Sequence, residues 1–192
     1  GIGSAIARAF AAEGARLGLH YRTGRDRVRA LQHDLGEVEA MAVRADLRRE
    51  GDVKRLVAAV AKRFGRIDVL VANAGAWETR DVPLHRMTRG QWQNTLDSVL
   101  TSVFLCVREF GRLVERQGRG NAVLIASTAA VFGEAGHADY AAAKSAFAFG
   151  LTRTLKNEFG RLAPHTADYQ VGLVNCVCPG WTIIPRTEPP LR

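Results

Sequence analysis

Two short and nearly continuous apolar runs, residues 67–72 and 121–126, decide the kind of fold open to this chain. A strand with one wet face alternates polar and apolar side chains. A strand covered on both faces does not, and such strands belong to parallel sheets flanked by helices. Helical patterns separate the runs. Val53, Leu56, Val57, Val60 and Phe64 recur at helical spacing. Residues 3–12 and 25–35 read as helices, and residues 91–115 suit one long helix. Residues 16–21 form a short strand, 38–45 alternate like a strand, and 171–178 make the last strand, stopped by Pro179 and Gly180. Strand and helix in alternation, joined by short connections, predict a doubly wound parallel sheet with helices on both faces.

Composition narrows the class further. The 192 residues fit one domain, 1–192, with 47% apolar and 24% charged residues, as in an ordinary globular protein. No apolar run reaches membrane-spanning length, and no secretory signal opens the chain. Cys106, Cys176 and Cys178 are odd in number and sit in apolar stretches, which argues against a disulfide framework and for a reducing, cytoplasmic setting. The net charge of +8 is spread over arginines interleaved with acids. No basic stripe with stacking aromatics appears, so nucleic acid is not the expected partner. Small anionic substrates or cofactors suit the charge better.

In parallel sheets of this kind, ligands bind beyond the carboxyl ends of the strands. Asp46, Asn73, Ser127 and Pro179 each follow a predicted strand. Tyr140 and Lys144 lie four residues apart, one helical turn on one face. An ammonium beside a phenol favours the phenolate and should lower the tyrosine pKa. With a serine hydroxyl brought from another element, the trio can move a proton on or off a carbonyl or alcohol oxygen. The plainer alternative is a lysine snorkelling over an aromatic ring. Gly1 and Gly3 open a helix, where backbone amides and the helix dipole can hold phosphate. A simple glycine turn is the other reading.

Taken in order, Gly-Ile-Gly (1–3), Asn-Ala-Gly (73–75), Ser127, Tyr140-x-x-x-Lys144 and Pro179-Gly180 make the chain resemble the short-chain dehydrogenase/reductase family over nearly its whole length. The resemblance implies a Rossmann fold and hydride transfer between a nicotinamide dinucleotide and a small-molecule carbonyl or alcohol. It implies that Gly1, Ile2 and Gly3 wrap the diphosphate, and that Asp46 and Leu47 flank the adenine. Asn73, Ala74 and Gly75 would border the cofactor. Tyr140 would be the general acid or base, Lys144 would steady it and hold the nicotinamide ribose, and Ser127 would polarise the substrate oxygen. Pro179 and Gly180, with Trp181 and Thr182, would line the nicotinamide pocket. Homodimers or homotetramers are implied too, with the long helix and the Tyr140 helix, through residues 141–143 and Phe147, pairing across a two-fold axis.

Arg22 follows Tyr21 at the end of the second strand of such a fold, where NAD-selective proteins place an acid. An arginine can instead grip a 2′-phosphate, so NADP is expected rather than NAD. The chain departs from the family pattern in three places. The first strand and first glycine of the phosphate loop do not precede Gly1, so residues 1–192 are expected to be part of a longer chain whose strand edges are left unpaired. Val99 and Ser102 stand where the family has asparagine and glycine, and Ile184 where many members have threonine. These changes motivate a second reading, a non-catalytic nucleotide-binding sensor or scaffold on the same fold. Phe132, Glu134, His137, Trp77 and Trp181 are candidates for the substrate site or for packing at its rim.

Overall fold

A computed structural model describes residues 1–75, 77, 78, 80–163 and 172–182. Helix α1 (Ile2–Ala12) leads into β1 (Leu17–Tyr21), α2 (Arg25–Asp34), β2 (Ala40–Arg44), α3 (Glu50–Phe64) and β3 (Val69–Ala72). Then follow α4 (Arg89–Thr95), α5 (Ser102–Gln117), β4 (Asn121–Ile125), α6 (Ala129–Phe132), α7 (Ala138–Ser145), α8 (Thr152–Leu162) and β5 (Val174–Val177). Every strand pair is parallel, and helices connect the strands. The α/β architecture read from the apolar runs is therefore present.

The sheet is in two parts among the described residues: β1–β2, and β3–β4–β5. Edges of β1 and β3 flank a cleft of about 800 Å³, walled also by α1, α3 and α5. The edges of β1 and β3 that face it are unpaired among the described residues, as expected. One expectation is modified. Residues 67–72 promised a strand covered on both faces, yet Val69 at the start of β3 is 36% exposed. The second apolar run behaves as read, with Ala122 and Leu124 of β4 fully buried. Burial separates the two runs, because β4 is paired on both edges and β3 on one.

The core joins α5, β4 and the α7–α8 arm. Phe110 and Phe159 meet with ring centroids 5.9 Å apart, and Val99, Val114 and Phe147 are buried beside them. Of the residues expected to pair across a two-fold axis, Ala143 and Phe147 are fully buried within the chain itself, whereas Ala142 is exposed and Ala141 half-buried.

The single long helix expected over 91–115 is interrupted by a wide π turn, Leu96–Thr101, between α4 and α5. Hydroxyls cause local competition for its carbonyls. Ser98 Oγ donates to Thr95 O at 3.2 Å, and Ser102 Oγ donates to Ser98 O at 2.8 Å. A second π turn, Ala146–Leu151, joins α7 to α8, and Thr152 Oγ1 donates to Phe147 O at 2.5 Å. Such turns recur near functional sites. The last strand is shorter than expected, and Val171 and Ile184 lie outside the described residues. No helix among the described residues is long and apolar enough to cross a membrane.

Candidate active site

The strands of the described residues lead at their carboxyl ends into the segments singled out in the sequence. Ser127 leaves β4 two residues after Ile125. Its Oγ accepts from Ala129 N at 3.2 Å, which opens the short helix α6, and its hydroxyl is close enough to Tyr140 to favour the phenolate. Tyr140 and Lys144 ride α7 one turn apart, and the Lys144 Nζ lies 5.5 Å from the tyrosine ring centroid. Phe147, one turn further, stands 4.9 Å from the same nitrogen. The three polar groups converge.

Lys144 is 4% exposed, which excludes the snorkelling alternative. Its Nζ donates to the carbonyl of Ile125 at 2.6 Å. Burial pulls its pKa down to about 8, with Cys176 and Cys178 acting weakly in the opposite sense. The tyrosine runs against expectation: its pKa is raised, not lowered. Burial is the largest cause, the half-buried Glu134 carboxylate adds to it, and only the Ser127 hydrogen bond opposes. The lysine is turned onto the Ile125 backbone, so its charge does not dominate the phenol.

Gly75 touches this group from the end of β3. A Cβ there would lie 3.9 Å from Lys144 Nζ and 4.0 Å from Val99 Cγ2. Pro179 and Gly180 arrive from β5. Thr128 N donates to Pro179 O at 2.9 Å, and a Cβ on Gly180 would sit 3.7 Å from Thr128 Cγ2. Thr182 Oγ1 donates back to Gly180 O. The Val99 carbonyl accepts from Ser102 Oγ at 3.3 Å, so two departures from the family pattern are bonded to each other.

Several of the remaining candidates border the cleft between β1 and β3. Gly3 faces Asn73, whose Nδ2 would be 2.9 Å from an added Cβ. Gly1, Ile2, Gly3, Asn73, Ala74 and Leu47 border the cleft, and Leu47 also packs against Val53, Leu105 and Cys106. Tyr21 ends β1 in register with Arg44, and Arg44 Nε donates to the Arg22 carbonyl at 3.4 Å. Asp46 is held by Arg48 through Nη2 at 2.6 Å and Nε at 2.9 Å. That fork keeps its carboxyl far below the usual range, helped by Arg22 nearby. Asp46 caps no helix; its Oδ1 accepts from Arg48 N in a tight turn.

The family model described as short chain dehydrogenase matches residues 1–188. The chain belongs to the short-chain dehydrogenase family. It is 35% identical over 190 residues to a 3-oxoacyl-[acyl-carrier-protein] reductase of Synechocystis, covering 98% of this chain and 72% of that one. It is 37% identical over 191 residues to the short-chain reductase protein NovJ of Streptomyces niveus, covering 98% and 68%. The crystal structure of a short-chain dehydrogenase/reductase from Burkholderia xenovorans superposes with a TM-score of 0.82 at 30% identity, over 97% of this chain and 68% of the other. This short-chain dehydrogenase is thus an oxidoreductase on a Rossmann-type fold, in a family that works with nicotinamide dinucleotides.

The residues present fit such a cofactor. The first amides of α1 have no side-chain cap and no acid in the first turn, which leaves N–H groups and the helix dipole for an anion. An ammonium carries three N–H groups, and among the described residues the Lys144 Nζ gives one, to Ile125 O. The others can meet ribose hydroxyls.

Sequence reasoning missed three contributors to the short-chain dehydrogenase site. Asp139 is 1% exposed and accepts from Thr95 Oγ1 at 2.6 Å and from Gln91 Nε2 at 3.4 Å, fastening α7 to α4. An acid next to Tyr140 in the first turn of α7 was a legible signal. The Ile125 carbonyl that seats Lys144 is backbone, and no side chain announces it. The Ser102 hydroxyl on the Val99 carbonyl becomes visible only once the π turn is known.

Proposed function

We propose that the protein is an NADP-dependent carbonyl reductase acting on a small-molecule ketone or, in reverse, a secondary alcohol. The observation that carries this reading is the convergence of Ser127, Tyr140 and Lys144 beside Gly75 and Gly180. Hydride transfer is the chemistry that a nicotinamide supplies when bound. The protein's residues handle the proton. The Ser127 hydroxyl donates a hydrogen bond to the substrate oxygen, and Tyr140 gives that oxygen a proton. The raised tyrosine pKa keeps the phenol protonated at neutral pH, the form that reduction requires. Lys144 stabilises the phenolate that remains and holds the nicotinamide ribose. Gly1, Ile2 and Gly3 receive the diphosphate.

Arg22 supports NADP over NAD. It is exposed at the end of β1, no acid follows it in the chain before Asp26, and the acid that lies near it, Asp46, is held by Arg48. One relative named above is a 3-oxoacyl-[acyl-carrier-protein] reductase, so a 3-oxoacyl thioester belongs in any substrate panel.

The test is NADPH oxidation over a panel of ketones and 3-oxoacyl thioesters, with Tyr140→Phe beside the natural chain. The variant should lose about 100-fold or more in kcat, the scale of one general acid, and still bind NADPH by fluorescence titration. Retained turnover would refute the role of Tyr140. One observation favours a second reading, a nucleotide-binding sensor: the Val99 carbonyl and the Lys144 ammonium are both engaged by the protein itself. Tight NADPH binding without oxidation by any panel member would select it.

A further inference from the structure

The proposed reductase leaves one cluster unexplained, at the mouth of the site. Trp77 lies on the loop after β3 and stacks on His137, with centroids 4.8 Å apart at 37°. His137 is 2% exposed and pairs through Nε2 with Asp81 Oδ1 at 2.9 Å. The two loops are joined tightly. Val82 N donates to Gly136 O at 3.0 Å, and Gly136, at φ +80°, has room for no Cβ, since Asp81 Cβ would be 3.0 Å away. Trp77 is therefore backed by a fixed ring. Trp181, after Gly180, meets Trp77 edge-on, with centroids 6.3 Å apart at 87°.

The corner so formed sits at the reacting groups. His137 opens the turn that carries Tyr140, and Ala141 N donates to its carbonyl at 2.9 Å. Gly180 touches Thr128, the neighbour of Ser127. Trp181 is 72% exposed and Phe132, on α6, is 83% exposed. Large exposed apolar side chains of this kind offer surface to a ligand. Glu134 is close enough to act on Tyr140, and Asp81 lies against His137. A negative charge there repels an anionic substrate group.

We propose that Trp77 and Trp181 form an aromatic corner that selects an uncharged aryl or fused planar ring next to the carbonyl that the enzyme reduces. Two indole planes at nearly a right angle let a flat ring stack on one and meet the other edge-on, the two arrangements that aromatic pairs prefer. A saturated ring of the same size is thicker and has no π face.

This inference rests on the proposed reductase activity, and its test separates the two. The full-length protein with saturating NADPH is assayed with 1-tetralone and with 1-decalone, its saturated partner. The aryl ketone should be favoured about tenfold in kcat/KM, the scale of one aromatic pair. Trp77→Leu should bring that ratio close to one, while Trp77→Phe keeps most of it. If Trp77→Leu does not fold, Trp181→Leu at its exposed position carries the same comparison. A wild-type ratio near one, or a ratio unmoved by the leucine variants, overturns the aromatic corner and leaves the reductase reading intact. If neither ketone is reduced, calorimetric titration of the NADPH-loaded protein decides. Tighter binding of 1-tetralone supports the corner although the reductase reading fails, and equal binding of both overturns it.

Discussion

Lys144→Met should give a protein that is more stable than the natural chain at neutral pH and less stable in strong alkali. The lysine is 4% exposed, and burial holds its pKa at about 8 against an ordinary 10.5. At ~1.36 kcal/mol for each pH unit, keeping that charge buried costs about 3 kcal/mol. The sign follows from proton uptake. Above pH 10.5 the amine is neutral in both states and the cost vanishes. As pH falls from 10.5 to 8, the unfolded chain takes a proton that the folded chain refuses, so stability declines. Below pH 8 the full cost applies. Methionine removes the charge but leaves the Ile125 carbonyl without its donor at 2.6 Å, a loss of ~1 kcal/mol. The variant should gain about 2 kcal/mol at pH 7 and lose about 1 kcal/mol above pH 10.5, so the difference changes sign. Guanidinium unfolding of both proteins, followed by circular dichroism at several pH values from 7 to 11, measures it. A variant that is less stable at pH 7, or a difference that stays flat across pH 8 to 10.5, refutes the reasoning.

Three further outcomes are expected. Arg22→Asp should raise KM for NADPH ten- to a hundredfold, the scale of hydrogen bonds to a charged group, and leave KM for NADH far less changed; equal shifts would count against a 2′-phosphate contact. Gly120→Ala should destabilise the fold by about 1–3 kcal/mol, because at φ +155° its Cβ would fall 2.5 Å from Val114 Cγ2 and 2.9 Å from Phe110 Cζ; an unchanged melting temperature would contradict that geometry. Thr95→Val takes a 2.6 Å donor from the buried Asp139 and should cost about 1–3 kcal/mol, read by thermal unfolding; a neutral result would mean that Asp139 finds another donor.

Side-chain chemistry at fixed spacing was legible from sequence, and backbone chemistry was not. Tyr140 and Lys144 announced a shared helical face, and the segments after the strands announced one end of a sheet. What escaped was set by main-chain groups. The lysine bonds the Ile125 carbonyl, so the anticipated drop in the tyrosine pKa gives way to a rise from burial. The long helix over 91–115 has sound periodicity, yet Ser98 and Ser102 divert its carbonyls into a π turn. Ala143 and Phe147 looked like an association face because apolar spacing cannot say which neighbour covers a helix; here the chain's own core does. The tryptophans at 77 and 181 are distant in sequence, and only the meeting of the β3 and β5 ends makes them a pair.

The space between β1 and β3 has a thermodynamic corollary. Gly1, Gly3 and Asn73, which we propose to border the dinucleotide, also stand on the walls of that space, together with the strand edges themselves. Any extended segment lodged there would stiffen the supports of the nucleotide. By reciprocity, the factor by which it tightens the grip on nucleotide equals the factor by which nucleotide fastens the segment. Filling that space and loading the cofactor are then two faces of a single equilibrium.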